Sequence, residues 1–316
     1  MTQRHDKTVC PDCGEPVKKT WKICPACETP LIALQCPQCK SPVKEHWKRC
    51  PECEASLLCK TCGERIPPGS ALCPKCDQQK AESVDQRPEI LEPATQMTFL
   101  YAPGGTFMMG DTFGDGLENE LPFHQIRLDG FYIGKYPVTQ DQWTTVMGDN
   151  PSKFQGVLHP VEQVTLYEVQ GFIQKLTETN NGAFRFDLPT EAQWEYAARS
   201  GGKDELFAGG HEVDALAWYE DNSDGSTRPV GKKAPNGLGL YDMSGNVWEW
   251  CQDSYRADAY QKHEARNPVT TNREPDRVIR GGSWNLDAWS VRCARRFSFR
   301  EDFSAPGLGI RLVITA

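Results

Sequence analysis

Pro235–Trp250 reads PNGLGLYDMSGNVWEW and Arg277–Trp284 reads RVIRGGSW, and these two stretches decide how the larger part of the chain folds. The first sets Gly237, Gly239 and Gly245 among Asn, Asp and Ser, and then runs into Trp248-Glu249-Trp250. Glycine permits positive φ and close backbone approach, while Asn, Asp and Ser side chains bond their own main chain. Repeated turning is therefore expected before the chain reaches an apolar run. From Arg199 to Arg277 the sequence is mostly of this kind, and a loop that long is normally either functional or held by something such as a metal.

Regular elements flank the loop. Thr139-x-x-Gln142, Thr165-x-x-Glu168 and Thr190-x-x-Gln193 are capping-box patterns that each start a helix. After Thr165, the residues Leu166, Val169, Phe172, Ile173 and Leu176 form one apolar stripe at helical spacing. Short β-prone runs surround these helices: MTFLY, TFMMG, QIRLDGFYIG, FRFDL, RVIRGGSW and LGIRLVI. The pattern predicts an α+β domain rich in irregular structure over residues 96–316, preceded by a polar, aperiodic linker over 81–95.

Ahead of the linker the chain changes character. Twelve of the 14 cysteines of the 316-residue chain lie between Cys10 and Cys76. They form three sets of four: Cys10, Cys13, Cys24 and Cys27; then Cys36, Cys39, Cys50 and Cys53; then Cys59, Cys62, Cys73 and Cys76. Each set is two Cys-x-x-Cys pairs separated by ten residues. Two such turns place four thiolates around one tetrahedral Zn²⁺, and modules this small need the metal to fold. Three zinc ribbons are expected, over 8–30, 34–56 and 57–79, with one Zn²⁺ each. Six disulfides are the competing arrangement. The MTQRHDKTVCPDC start has no apolar signal core, which argues against it and points to a cytoplasmic protein.

Charge bounds the partners. The formal net charge is −8, made of +4 in residues 1–80 and −12 from residue 81 onward. Twelve thiolates with three Zn²⁺ take the ribbons to about −2, so nucleic acid is not the favoured ligand there, although Lys18, Lys19, Lys22, Lys44, Lys48 and Arg49 form a basic stripe beside Trp21 and Trp47. Protein docking is favoured instead. No run approaches the roughly 20 apolar residues of a membrane-spanning helix.

FYIGKYPVTQDQW, HPVEQVTLYEV, FRFDLPTEAQWEYAARSGG, PNGLGLYDMSGNVWEW, RVIRGGSW and LGIRLV occur in that order. Together they resemble the formylglycine-generating enzyme, or sulfatase-modifying-factor, family over about residues 96–316. The resemblance implies a loop-rich, C-type-lectin-like fold. It also implies an oxidase that holds Cu(I) between two cysteines following the Gly-Gly-Ser of RVIRGGSW, since soft thiolates suit Cu(I). Here Trp284–Val291 reads WNLDAWSV and contains no cysteine. Cys293 matches a cysteine near, but outside, the copper pair, and Cys251 follows VWEW; both are expected to be small buried hydrophobes. The ergothioneine-type sulfoxide synthases share the domain but need iron-binding histidines from a fused helical domain. His5, His46, His124, His159, His211 and His263 are scattered, so this route has no support either.

The same resemblance implies a Ca²⁺ site with Asp242 and Glu249 as side-chain ligands and Gly245 and Val247 as carbonyl donors, hard oxygens of the type Ca²⁺ prefers. In Trp284–Pro306, aromatic residues alternate with arginines, the residue types enriched at interaction hot spots. Trp289, Arg296, Phe297, Phe299 and Phe303 are the expected partner-binding set, whereas Trp284 and Arg292 are expected to be core or buttress residues. This segment also resembles the variable region of lectin-like proteins diversified by retroelements. The expected function is non-catalytic interaction, the ribbons docking to a partner and the larger domain binding a protein or small ligand, with a metal-dependent oxidase and a retroelement-diversified lectin as the alternatives.

Overall fold

The computed structural model describes residues 89–271 and 274–315, together with 8–9, 16–17, 41, 48–50, 52–53 and 56–58 of the cysteine-rich segment. The chain divides into two compact units, Met1–Gln86 and Arg87–Ala316.

In the first unit, β1 (Thr8–Val9) pairs antiparallel with β2 (Pro16–Val17), and the sequence joining them carries Cys10 and Cys13. A second turn repeats the design: Arg49 bridges Ser56, and the Leu57 amide donates to the Lys48 carbonyl at 2.9 Å. Cys50 is buried on this turn, Cys53 half-buried, and Leu57 packs inside it. That fits one half of a Cys₄ zinc site. Of the second expected set, the other two ligands, Cys36 and Cys39, lie outside the described residues. So do all four ligands of the first set, Cys10, Cys13, Cys24 and Cys27, and all four of the third, Cys59, Cys62, Cys73 and Cys76.

The second unit contains a five-stranded sheet, ordered β3 (Ile90–Leu91), β4 (Thr98–Ala102), β7 (Phe131–Gly134), β13 (Val313–Thr315) and β8 (Arg185–Asp187). A four-stranded sheet runs β11 (Arg296–Arg300), β10 (Asp276–Arg280), β9 (Trp248–Ser254) and β12 (Leu308–Gly309). A ribbon of β5 (Gly105–Met109) and β6 (His124–Leu128) completes the strands. The expected linker over 81–95 is too long, because β3 pairs with β4 and the buried Glu92 carboxylate accepts the Ala94 and Thr95 amides at 2.7 Å. A two-residue strand has no periodicity to betray it.

All three capping boxes form with both of their hydrogen bonds, opening α1 (Gln140–Met147), α2 (Leu166–Thr179) and α3 (Glu191–Ala198). A fourth, short helix is α4 (Val213–Leu216). On α2, Leu166, Val169, Phe172 and Leu176 are buried, each contributing about 1.5–3 kcal/mol of burial. Trp143 of α1 stacks on Phe172 at 4.8 Å and joins the two helices. The stretch expected to be mostly loop contains β9, the central strand beside β10, with Trp248, Trp250 and Cys251 buried. Burial on both faces removes the alternation by which a strand is recognised.

Candidate functional site

β10 delivers Arg280 to the sheet end, and Gly281 and Gly282 then turn the chain at φ +99° and +72°. A Cβ on Gly282 would stand 2.6 Å from Val291 Cγ1, so only glycine lets the chain fold back there. In the loop that follows, Ser283 Oγ bonds Asn285 Oδ1 at 2.7 Å and Trp284 Nε1 donates to the Pro306 carbonyl at 3.2 Å. The Trp284 ring meets Phe154 edge-on at 5.2 Å. Trp284 is a buttress, as expected, and so is Arg292, whose Nη1 lies 3.0 Å from the buried Glu120 carboxylate.

The loop contributes no thiol of its own. Cys251 and Cys293 are fully buried in the cluster that also holds Trp194, Met243 and Val278. Burial raises the Cys293 thiol to about 12, with Arg199 opposing; burial and the nearby Glu191 carboxylate push Cys251 well above its ordinary value. Neutral, dry thiols on β9 and beyond Val291 do not fit a Cu(I) ligand pair.

Among the described residues no three His, Cys, Asp or Glu side chains converge as a metal group. The histidines are nonetheless less scattered than the sequence suggests. His124 Nε2 and His263 Nδ1 lie 3.0 Å apart, across 139 residues of chain, and burial lowers His263 to about 4.

The residues implied for Ca²⁺ do come together, but they are already engaged. Arg311 Nη2 and Nε lie 2.8 and 3.0 Å from Glu249 Oε1 and Oε2, and Trp194 Nε1 donates to Oε2 at 2.7 Å. Asp242, at φ +57°, accepts from the Gly231 amide at 2.7 Å and from Asn246 Nδ2 at 3.3 Å. Burial raises its carboxyl to about 6, against the Gly231 hydrogen bond. Gly245 sits where a Cβ would be 2.1 Å from the Trp218 carbonyl, and Val247 is core. A Glu249 carboxylate already engaged by a guanidinium and an indole is poorly suited to serve as a Ca²⁺ side-chain ligand.

Arg296, one of the expected partner-binding residues, is instead fully buried and lies bidentate on Glu191. Strand alternation explains this: Arg296 points to the face opposite Phe297, and Arg280 beside it reaches Glu195 at 2.5 Å and Glu191 at 3.1 Å. Sequence reasoning missed these buried ion pairs. Their signal was Glu191, Glu195 and Arg199 at i, i+4 and i+8 on a helix otherwise made largely of Ala and aromatic residues.

The aromatic members do form a row. Trp289 donates its Nε1 to the Asp115 carbonyl at 2.9 Å and lies 4.5 and 5.0 Å from the Arg292 and Arg295 guanidinium groups. Arg295 is 5.7 Å from Phe297, Phe297 is 5.4 Å from Phe299, and Phe299 stacks on Phe303 at 4.2 Å. Phe297 and Phe303 are 43% and 40% exposed, large values for phenylalanine. Trp289 is half-buried and tied to the 111–117 loop, and Phe299 is half-buried against the core, so the open members of the row are Phe297 and Phe303, joined through Phe299.

Two small twisted sheets, short capped helices and a long ordered loop returning through Gly-Gly-Ser define a C-type-lectin-like domain of the sulfatase-modifying type, with zinc ribbons before it. Residues 84–316 match the family described as Sulfatase-modifying factor enzyme 1-like domain, and the chain belongs to that family. Residues 10–54 match Double zinc ribbon, covering the first two cysteine units. The chain is 36% identical over 234 residues to Chaperone protein LppX of Paenibacillus barcinonensis, covering 58% of this chain and 78% of that one. It is 33% identical over 243 residues to Serine/threonine-protein kinase Pkn1 of Chlamydia trachomatis, where the match takes in 67% of this chain but only 38% of the kinase. It is 29% identical over 279 residues to the formylglycine-generating enzyme of Streptomyces coelicolor, covering 66% and 86%. Among solved structures, Treponema denticola variable protein 1 superposes with a TM-score of 0.65 at 29% identity, covering 72% of this chain and 99% of that one. No helix among the described residues is long and apolar enough to cross a membrane.

Proposed function

We propose that this protein is a non-catalytic interaction protein: the zinc ribbons dock to a partner, and the sulfatase-modifying-type domain recognises a protein ligand. The observation that carries this reading is the state of the remaining sulfur. The loop after Ser283 has no cysteine, and Cys251 and Cys293 are fully buried thiols whose burial raises their pKa, a setting that disfavours a nucleophile or a copper ligand. What the domain presents instead is a ridge in which the exposed Phe297 and Phe303 are joined through the half-buried Phe299. Aromatic residues on rigid strands are effective anchors for a partner because burying them orders little else. The likeness to Treponema denticola variable protein 1 is in keeping with the retroelement-diversified alternative for the same segment. Zinc at three sites and a cytoplasmic setting complete the proposal, and the net charge of −12 beyond residue 80 disfavours nucleic acid as the ligand.

The test is a photo-crosslinking residue at Phe303 in the full zinc-loaded chain, expressed in its own cells. A discrete adduct that disappears with Phe297→Glu is expected. Adducts that are absent, or indifferent to that substitution, would remove the ridge as a recognition surface.

A further inference from the structure

β11 is the outer strand of the four-stranded sheet, and its five residues make it the longest outer strand of the two larger sheets, against two in β12, two in β3 and three in β8. Long outer strands are ordinarily protected by charge, proline or bulges. The outward-facing backbone of β11 can be read from its register. The Glu301 amide donates to the Pro275 carbonyl at 3.0 Å, in register with Asp276↔Arg300, so the hydrogen-bonded pairs with β10 are Arg277↔Phe299 and Ile279↔Phe297. Val278↔Ser298 is then a non-hydrogen-bonded pair, and the Ser298 N–H and C=O point away from the sheet. On either side, the Arg300 carbonyl accepts from the Phe303 amide at 2.9 Å and the Arg296 carbonyl from Arg295 Nη1 at 3.1 Å, which leaves Ser298 at the centre of the open edge.

The strand reads Arg296-Phe297-Ser298-Phe299-Arg300, the same in both directions. We propose that β11 pairs antiparallel with β11 of a second copy of this chain, about a twofold axis through Ser298. The proposal rests on the reading of the phenylalanine ridge as an interaction surface and names its occupant. In this arrangement Ser298 exchanges N–H···O=C bonds with its own symmetry mate. Phe297 faces Phe299 of the partner subunit in a non-hydrogen-bonded pair, the closer of the two antiparallel pairings. The two ridges then merge into one aromatic cluster on one face of a continuous eight-stranded sheet, four strands from each copy. A palindromic strand satisfies the isologous requirement that one patch complement itself. Arg300 carries no unmet charge into the contact, because Asp302 of its own chain lies 3.1 Å from its Nε. One strand edge and one ridge make an interface at the small end of specific contacts, so the dimer should depend on concentration.

Sedimentation velocity on the full zinc-loaded chain tests this. The weight-average mass is expected to climb from 35.5 kDa toward twice that value as concentration rises. Ser298→Pro removes the outward amide while leaving the β10 hydrogen bonds intact, and should return the protein to monomer. Phe297→Lys, which sets a charge on a side chain already 43% exposed, keeps the test valid if the proline variant misfolds, and should weaken association roughly tenfold or more. A monomer at every concentration, or a dimer unchanged by both substitutions, would overturn the pairing. A monomer that still forms the Phe303 adduct with another protein would overturn it while leaving the recognition function standing.

Discussion

Arg296 sets its Nε 2.7 Å and its Nη2 2.8 Å from the two carboxylate oxygens of Glu191, and both side chains are fully buried. Arg280 lies on the same carboxylate from the neighbouring strand, so β10, β11 and α3 are joined through one buried anion. Burial alone would raise the Glu191 carboxyl, but the Arg296 and then the Arg280 charges hold it below its ordinary value. Removing one partner leaves the other charge stranded. Glu191→Met and Arg296→Met should each lose about 3–5 kcal/mol, and the double variant that combines them much less than the sum. Urea unfolding of the four proteins checks this, and strict additivity would contradict the coupling.

Asp253 lies next to this network. Its carboxylate accepts the Glu191 and Thr270 amides at 2.7 Å, yet burial and then the Glu191 charge raise its carboxyl to about 7. A carboxyl raised in the folded state binds a proton that the unfolded chain has released. Its stabilising contribution is therefore complete below the unfolded value of 3.8 and is lost as pH climbs through about 7. Asp253→Asn should compare progressively better with the parent as pH is raised from 4 to 8, in thermal midpoints measured side by side. A difference that stays flat, or runs the other way, would count against the assignment.

Glu249 gives a prediction about metal. With Arg311 and Trp194 on its oxygens, the domain should melt at the same temperature in EGTA and in millimolar Ca²⁺. Glu249→Gln should instead cost about 3 kcal/mol or more by stranding Arg311. A Ca²⁺-dependent rise in the melting temperature that Glu249→Gln abolishes would restore the ion.

Zinc belongs to the other unit. Metal analysis of the purified chain should return about three Zn²⁺, and chelation should unfold the ribbons while leaving the melting of the Arg87–Ala316 unit unchanged. A stoichiometry of two would confine zinc to the pair of modules within residues 10–54 and remove Cys59, Cys62, Cys73 and Cys76 as ligands.

The helices were legible because each begins with a reciprocal cap, and α2 also carries a full apolar stripe. Most strands were legible as short β-prone runs. β9 was not, since a Trp-rich strand buried on both faces shows no alternation, and β3 was not, since two residues carry no period. At the candidate surface, residue type identified the aromatic row but not its direction. Phe297 and Arg296 are adjacent in sequence, and the pleat sends one to solvent and the other to Glu191. At the implied Ca²⁺ site the oxygen ligands are visible in the sequence, but Arg311, 62 residues beyond Glu249, is not visible as the partner of that carboxylate.

Binding without oxidation is the role proposed for this domain. Its most direct test is oxygen consumption by the copper-loaded, zinc-replete chain supplied with a cysteine-containing peptide and reductant. Uptake no faster than that of free copper under the same conditions, with no aldehyde in the peptide by mass spectrometry, is expected. Stoichiometric aldehyde formation that Cys293→Ala abolishes would contradict it.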